Sequence, residues 1–493
     1  MEEEFCFRNG VLHIENVSVQ DIIPISQEDS EPVYVFSKQK ILSNIRNYKK
    51  ELNKQSFPWT LNFSMKANAN PSILQIFKEN GCSLTLVSGL ELKTALELKF
   101  PTEDLVLNGN GKQNWEIDLA IQNGVLLNID SVFNLQQTVS ACKRANKPAR
   151  VLLRVNPDIE VDVHEHVITG KIGSKFGVDE TAFDEVVTIL QNEQLLTLVG
   201  LHSHLGSTID DVAVIAESTE KVSKIFRNLK AKGFSSMKYI NIGGGLGISY
   251  RKKELETLAW KNIAESRKHK LENVFNEISS HSDFQSILTD FKSNKISASQ
   301  FVELIGNICK EDNPQTVEKL KRPLGVRGIM PTPADLIQRI KPYIDDDAHL
   351  IIEPGRSLIG NAAILLCRTL GCKESGDKSF LVVNGSMNEV IRPSLYNAYH
   401  HIELAEPTDG DKKIYDVVGP VCESGDFLGK NRLLSTPHVN CLLAVFDTGA
   451  YCGSMSMTYN MRPRAAEIMV DNDTVKVIRR ADTYEYLMKP YRI

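Results

Sequence analysis

The sequence predicts an α/β protein, a (β/α)8 barrel of the TIM type joined to a C-terminal all-β domain. Two observations lead there. Eight short apolar runs alternate with helical stretches between about residue 59 and residue 353, and eight β/α units is the number that closes a barrel. After Ser357 the pattern changes to short runs separated by turns, as in FLVVNGS, IYDVVGP, CLLAVFDTGAY, AAEIMVD and TVKVIRR, which reads as a β domain.

The eight runs are Trp59–Ser64, Leu84–Val87, Leu105–Asn108, Val125–Ile129, Val151–Val155, Leu198–His202, Tyr239–Ile242 and His349–Glu353. They are apolar without strict alternation, as suits strands covered on both faces. Helical patterns such as Ser88–Leu98 and Asp211–Lys230 lie between them. An open doubly wound sheet is the alternative this pattern leaves. The barrel is expected over 37–357, and the β domain over 1–36 with 358–493, where Val11–Ile14 adds a strand. Arg251–Met330 interrupts the alternation. It is rich in Lys, Glu, Ser and Asn, places Leu271, Val274, Phe275 and Ile278 at helical spacing, and carries Ser297–Gln300 before FVELIGNI like a capping box. It is expected to be a helical insertion between the seventh and eighth strands, close enough to those strand ends to reach the mouth of a site there.

The composition excludes several classes. A net charge of -5 offers no basic excess for a nucleic-acid backbone. No apolar run approaches the roughly 20 residues of a membrane span. The opening MEEEFCFRNG lacks the basic and apolar regions of a leader peptide. Nine scattered cysteines without a CxxC pair fit reduced thiols and a cytoplasmic protein.

Barrel active sites form at the C-terminal ends of the strands, and phosphate groups favour the loops after strands seven and eight. Here the first strand runs into Met65-Lys66-Ala67-Asn68, the sixth into His202-Ser203-His204-Leu205-Gly206-Ser207, the seventh into Gly243-Gly244-Gly245, and the eighth into Glu353-Pro354-Gly355-Arg356. Each has an ordinary reading. Lys66 alone is a surface lysine, the glycines a tight turn, His202 and His204 core or metal-ligating residues, Glu353 and Arg356 a structural ion pair. Consecutive glycines also expose backbone N–H groups that can cradle a phosphate. A lysine, a phosphate cradle, an imidazole and a carboxylate together are the protein parts that a pyridoxal phosphate site needs.

The stretches FSMKANANP, LVSGLEL, RVNPDIEVDVHEHVITGKIGSKFG, GLHSHLGS, NIGGGLGI, EPGRSL, MNEVIRPSLYNAYHHI, VVGPVCESGDFL and GAYCGSMSMTYNMRPR occur in that order. With them the chain resembles the diaminopimelate decarboxylase family, among the barrel-type pyridoxal enzymes that include ornithine decarboxylase and alanine racemase. The resemblance runs from about Val33 to Tyr491, apart from the insertion. It implies decarboxylation of meso-2,6-diaminopimelate to L-lysine, with pyridoxal 5′-phosphate as cofactor and no metal. Lys66 then holds the cofactor covalently, His204 stacks on its ring, and Glu353 pairs with the ring nitrogen. Ser207, Gly243, Gly244, Gly245 and Tyr451 hold the phosphate, with Arg356 beside them. Arg356, Arg392 and Tyr396 resemble the family's clamp for a distal carboxylate, Glu423 accepts from the distal ammonium, and Tyr451 also touches the substrate. Cys422 is the implied proton donor. Cys422 and Glu423 reach the site from a partner subunit, which implies a homodimer with shared active sites.

Thr85 stands where the family often has an aspartate, Asn384 where it often has an acid, and Leu90 where glycine is usual. Three rivals remain: another amino acid with a distal carboxylate or an ornithine- or lysine-type substrate, a metal hydrolase using His164, His166, His202 and His204, and a non-catalytic homologue.

Overall fold

The computed structural model describes residues 4–23, 32–159, 175–178, 180–250, 265–279, 283–293, 295–296, 298–308, 320 and 330–492. The chain divides into two compact units, Met1–Tyr250 with Pro331–Ile493, and Arg251–Met330.

The larger unit opens on three short strands, β1 (Phe5–Arg8), β2 (Val11–Ile14) and β3 (Val17–Ser18), which form a sheet of their own. Val11–Ile14 is the expected strand, and it pairs with β1 and β3 in this small sheet, not in the large one. The turn explains this. Asn9 and Gly10 lie at φ 49° and 81°, the two positive values of a type I′ hairpin, which folds β2 straight back on β1. Leu12 and Ile14 still bury their side chains against Val33, Val35, Ile364 and Ile468. The N-terminal strand that does enter the large sheet is β4 (Val33–Ser37), buried along its whole length.

Eight parallel strands then close a barrel. They are β5 (Trp59–Ser64), β6 (Ser83–Leu86), β7 (Val106–Leu107), β8 (Leu126–Ile129), β9 (Ala149–Arg154), β10 (Leu196–His202), β11 (Tyr239–Asn241) and β12 (His349–Ile352). They pair in chain order, and β12 returns to β5 with Leu350 opposite Trp59. Both faces of these strands are covered, so their apolar runs do not alternate. The closed barrel excludes the open doubly wound sheet. Because all eight strands point the same way, their C-terminal ends gather eight loops on one rim.

The remaining strands are β13 (Ala363–Ser375), β14 (Lys378–Val383), β15 (Ile402–Leu404), β16 (Lys412–Val418), β17 (Phe427–Ser435), β18 (Leu442–Phe446), β19 (Ala466–Asp471) and β20 (Thr474–Arg479). With β4 they form a nine-stranded sheet in the order β17-β16-β14-β13-β4-β19-β20, with β18 on β13 and β15 on β18. β4 thus sits between β13 and β19, which stitches the start of the chain into the β domain.

The smaller unit contains helices over Glu265–Ile278, Phe284–Lys292 and Ala298–Ile308. Leu271, Phe275, Phe284, Phe291, Phe301 and Ile305 form its own core, with the Phe291 and Phe301 rings stacked at 4.6 Å. Ser297, the first residue of the expected capping box, lies outside the described residues. Among the described residues no helix is long and apolar enough to cross a membrane.

Candidate active site

A cavity of about 350 Å3 opens on the rim where the barrel strands end. Its wall takes residues that follow β5, β6, β7, β9, β10, β11 and β12, and from beyond the barrel it takes Arg392, Tyr396 and Tyr451.

Lys66 is delivered by a single turn. β5 runs into a 3-10 turn, Met65–Ala67, in which Met65 and Ala67 are buried and Lys66 between them is exposed. The turn is pinned from the β domain, since Tyr451 N–H and the Ser454 hydroxyl both donate to the Ala67 carbonyl, at 2.9 and 3.1 Å. The two buried neighbours fix the backbone at Lys66, and its side chain lines the cavity.

Glu353 follows β12 and is buried. Asn241 donates to its Oε1 at 2.7 Å, Asn108 to its Oε2 at 3.1 Å, and His202 Nε2 lies 3.3 Å from Oε2. Asn128 donates to His202 Nδ1 at 3.0 Å, so the proton of His202 sits on Nε2 and points at Glu353. Burial keeps His202 below its ordinary pKa and hence neutral. Burial alone would raise the Glu353 carboxyl, but His202 and Asn241 outweigh it and hold the group below the usual carboxylate range. Glu353 is an anion whose two oxygens, with about four lone-pair sites, keep capacity for one more donor.

The Gly243–Gly245 turn is shaped by close backbone approach. A Cβ on Gly243, Gly244 or Gly245 would sit 2.6 Å from the Ser203 carbonyl, 2.3 Å from the Glu353 carbonyl and 2.4 Å from the Gly206 carbonyl. Gly243 N–H donates to Asn241 Oδ1 at 2.9 Å, and Gly244 N–H to His204 Nδ1 at 3.3 Å. Gly244 and Gly245 line the cavity and Gly243 lies behind them. His204 is half-buried at the wall. Burial, with the Lys66 and Arg154 cations nearby, keeps its pKa well below the ordinary value, so its ring is neutral.

The other end of the cavity is cationic. Arg356 and Arg392 are both buried. Arg356 Nη2 donates to the Ser207 hydroxyl at 3.0 Å and its Nη1 to the Tyr250 hydroxyl, and its guanidinium lies 4.8 Å from the Tyr451 ring. Arg392 Nη1 donates to His400 Nε2 at 2.6 Å. Glu353 and Arg356 are therefore not an ion pair, and His202 serves Glu353 as a hydrogen-bond donor, which leaves it no lone pair for a metal. His164 and His166 lie outside the described residues. Tyr451 itself adopts φ 58°, a conformation that costs a non-glycine residue energy and is retained where the surroundings over-determine it.

Cys422 and Glu423 are elsewhere. Both are exposed, and neither lines the cavity of their own chain. Cys422 N–H donates to Asn460 Oδ1 at 2.8 Å, and Tyr459 and Met461 on either side of Asn460 are exposed apolar residues.

Comparison with known proteins fixes the family. Residues 38–287 match the pyridoxal-binding domain of the pyridoxal-dependent decarboxylases. A probable chloroplastic diaminopimelate decarboxylase of Oryza sativa subsp. japonica is 36% identical over 98% of this chain and 84% of its own length. The diaminopimelate decarboxylase of Aquifex aeolicus is 34% identical over 98% of this chain and 96% of its own. This chain belongs to the diaminopimelate decarboxylase family. The crystal structure of the M. jannaschii diaminopimelate decarboxylase with L-lysine superposes with a TM-score of 0.79 at 26% identity, covering 99% of this chain and 98% of that one. The Helicobacter pylori diaminopimelate decarboxylase with L-lysine gives 0.75 at 26% identity, over 95% and 98%.

As a member of that family the chain uses pyridoxal phosphate, and the cavity fits it. An anionic Glu353 with spare acceptor capacity, a glycine turn that no Cβ could enter, and a lysine on a rigid turn are the features such a group requires. Four further residues of this diaminopimelate decarboxylase family site went unread in the sequence, namely Asn108, Arg154, Asn241 and Tyr250. Asn108 directly follows β7, Arg154 and Asn241 close β9 and β11, and the rule that barrel strand ends carry function would have found them. Arg154 lies on the cavity wall with its Nη1 3.3 Å from Asp130 Oδ2, both side chains buried.

Proposed function

We propose that the chain decarboxylates meso-2,6-diaminopimelate to L-lysine and CO2, the last step of lysine biosynthesis, in a barrel of residues 37–357 completed by the β domain. One observation carries the choice of substrate. Arg356 and Arg392 are buried in the same cavity as Lys66 and Glu353, and among the described residues no carboxylate pairs with either guanidinium. Two uncompensated buried cations call for an anionic ligand group, and a planar guanidinium binds both oxygens of a carboxylate. A substrate with one carboxylate to lose and a second to be held meets that demand.

The residues take the following roles. Lys66, on the turn after β5, would hold the cofactor covalently through its amine. Glu353 would pair with the protonated ring nitrogen, and the neutral His204 ring would stack on the cofactor. When bound, pyridoxal phosphate supplies the electron sink that accepts the pair left as CO2 departs. Ser207, the Gly243–Gly245 turn and Tyr451 would hold the phosphate, with Gly244 and Gly245 on the cavity wall. Arg356, Arg392 and Tyr396 hold the distal carboxylate.

Cys422 returns a proton to the carbon that lost CO2, and Glu423 accepts from the distal ammonium, both from a partner subunit. Their exposure beside Tyr459 and Met461 supports an interface there. The eight described cysteines are all free, which supports the cytoplasm as the compartment. CO2 release from a panel of amino acids tests the assignment. Diaminopimelate should be turned over, with lysine, ornithine and monoamino dicarboxylates poor substrates. Faster release from any of those would overturn it.

A further inference from the structure

Among the described residues Arg356 and Arg392 are held by neutral groups, and one side chain serves both. Tyr250 is 8% exposed and lies just beyond the glycine turn. Its hydroxyl accepts from Arg356 Nη1, and its ring lies 5.0 Å from the Arg392 guanidinium. His400, fully buried, meets the Tyr250 ring edge-on at 5.4 Å and 78°. His400 Nδ1 lies 2.8 Å from the Phe446 carbonyl, which can only accept. The proton of His400 is therefore on Nδ1, and its Nε2 lone pair receives Arg392 Nη1.

This arrangement has a physical purpose. Two guanidiniums brought together repel, and carboxylate partners would relieve the repulsion but also discharge the site. A phenol hydroxyl, an aromatic face and a neutral imidazole fix direction while leaving both charges intact. We propose that Tyr250 and His400 are positioning residues that hold Arg356 and Arg392 as an uncompensated pair, and so set the preference for a substrate with a distal carboxylate. The inference rests on the functional reading above. Neither residue touches the reacting carbon, so losing either should weaken substrate binding more than turnover.

The test compares holoenzymes of the wild type, Tyr250→Phe, His400→Leu and His400→Gln with diaminopimelate, together with cofactor absorbance and thermal unfolding. Tyr250→Phe keeps the ring and removes only the hydroxyl. It should raise KM roughly tenfold, the loss of one hydrogen bond to a charged group, with kcat changed less than threefold and cofactor occupancy intact. His400→Leu should raise KM likewise, and His400→Gln, which restores an acceptor, should recover part of the loss. A wild type inactive on diaminopimelate overturns the functional reading and this inference with it. An active wild type with an unchanged KM in Tyr250→Phe overturns this inference alone. A fall in kcat and cofactor occupancy without a KM change would also overturn it, since that marks a merely structural role.

Discussion

Asn241 joins Glu353 to the Gly243–Gly245 turn through one amide. Its Nδ2 donates to Glu353 Oε1 at 2.7 Å while its Oδ1 accepts from Gly243 N–H at 2.9 Å. The carboxylate and the glycine turn therefore keep a fixed relation, set by the last residue of β11. Asn241→Ala removes a donor from a buried anion and strands a buried N–H, a loss of about 1.5–3 kcal/mol for the charged bond alone. Cofactor affinity, titrated by absorbance, should fall at least tenfold, with stability reduced as well. Unchanged affinity would show that Glu353 needs no such support.

Arg392→Ala should raise KM or lower kcat/KM for diaminopimelate by about 1.5–3 kcal/mol, roughly 10- to 150-fold, because it deletes a charge-assisted contact. Steady-state kinetics on diaminopimelate and lysine checks this. Equal losses on both substrates would remove Arg392 from any role at the distal carboxylate.

Glu389 lies buried three residues before Arg392, accepting from Ser386 N–H and Oγ at 2.9 and 2.8 Å. Burial pushes its pKa up from 4.5 to about 7. A carboxyl whose folded-state pKa exceeds its unfolded value binds its proton more tightly when folded. Stability should therefore fall as pH rises from about 4.5 to about 7 and be level outside that window. Glu389→Gln removes this dependence, so relative to wild type it should be more stable at pH 8 than at pH 5, by up to about 3 kcal/mol. Urea unfolding at the two pH values measures the difference, and an identical offset at both would refute the shift.

If Cys422 acts across a two-fold interface, Lys66→Ala and Cys422→Ala homodimers should each be nearly inactive. Co-refolded in equal amounts, they give hybrids in about half of the dimers, each with one site carrying both defects and one carrying neither, so activity should recover to roughly a quarter of wild type. No recovery in a sample shown by mass to contain hybrids would place both residues in one chain.

The barrel was legible because strands covered on both faces leave continuous apolar runs, and because Lys66, Glu353 and Arg356 stand directly at strand ends. Val11–Ile14 was legible as a strand but its partner was not, since an isolated strand does not announce one, and the Asn9-Gly10 turn pairs it with β1. Asn108 and Asn241 were missed because asparagine closing a strand reads as the start of a turn. Tyr250 and His400 lie far apart in the sequence, and only the fold brings them onto the same two arginines. Cys422 and Glu423 came from family resemblance alone, since both lie exposed and off the cavity of their own chain.

Borohydride reduction of the coloured holoenzyme, followed by peptide mapping, tests the central claim most directly. The cofactor should be found on the peptide containing Lys66, and Lys66→Ala should be folded, uncoloured and without CO2 release. A cofactor attached to any other lysine, or full turnover by Lys66→Ala, would contradict the account.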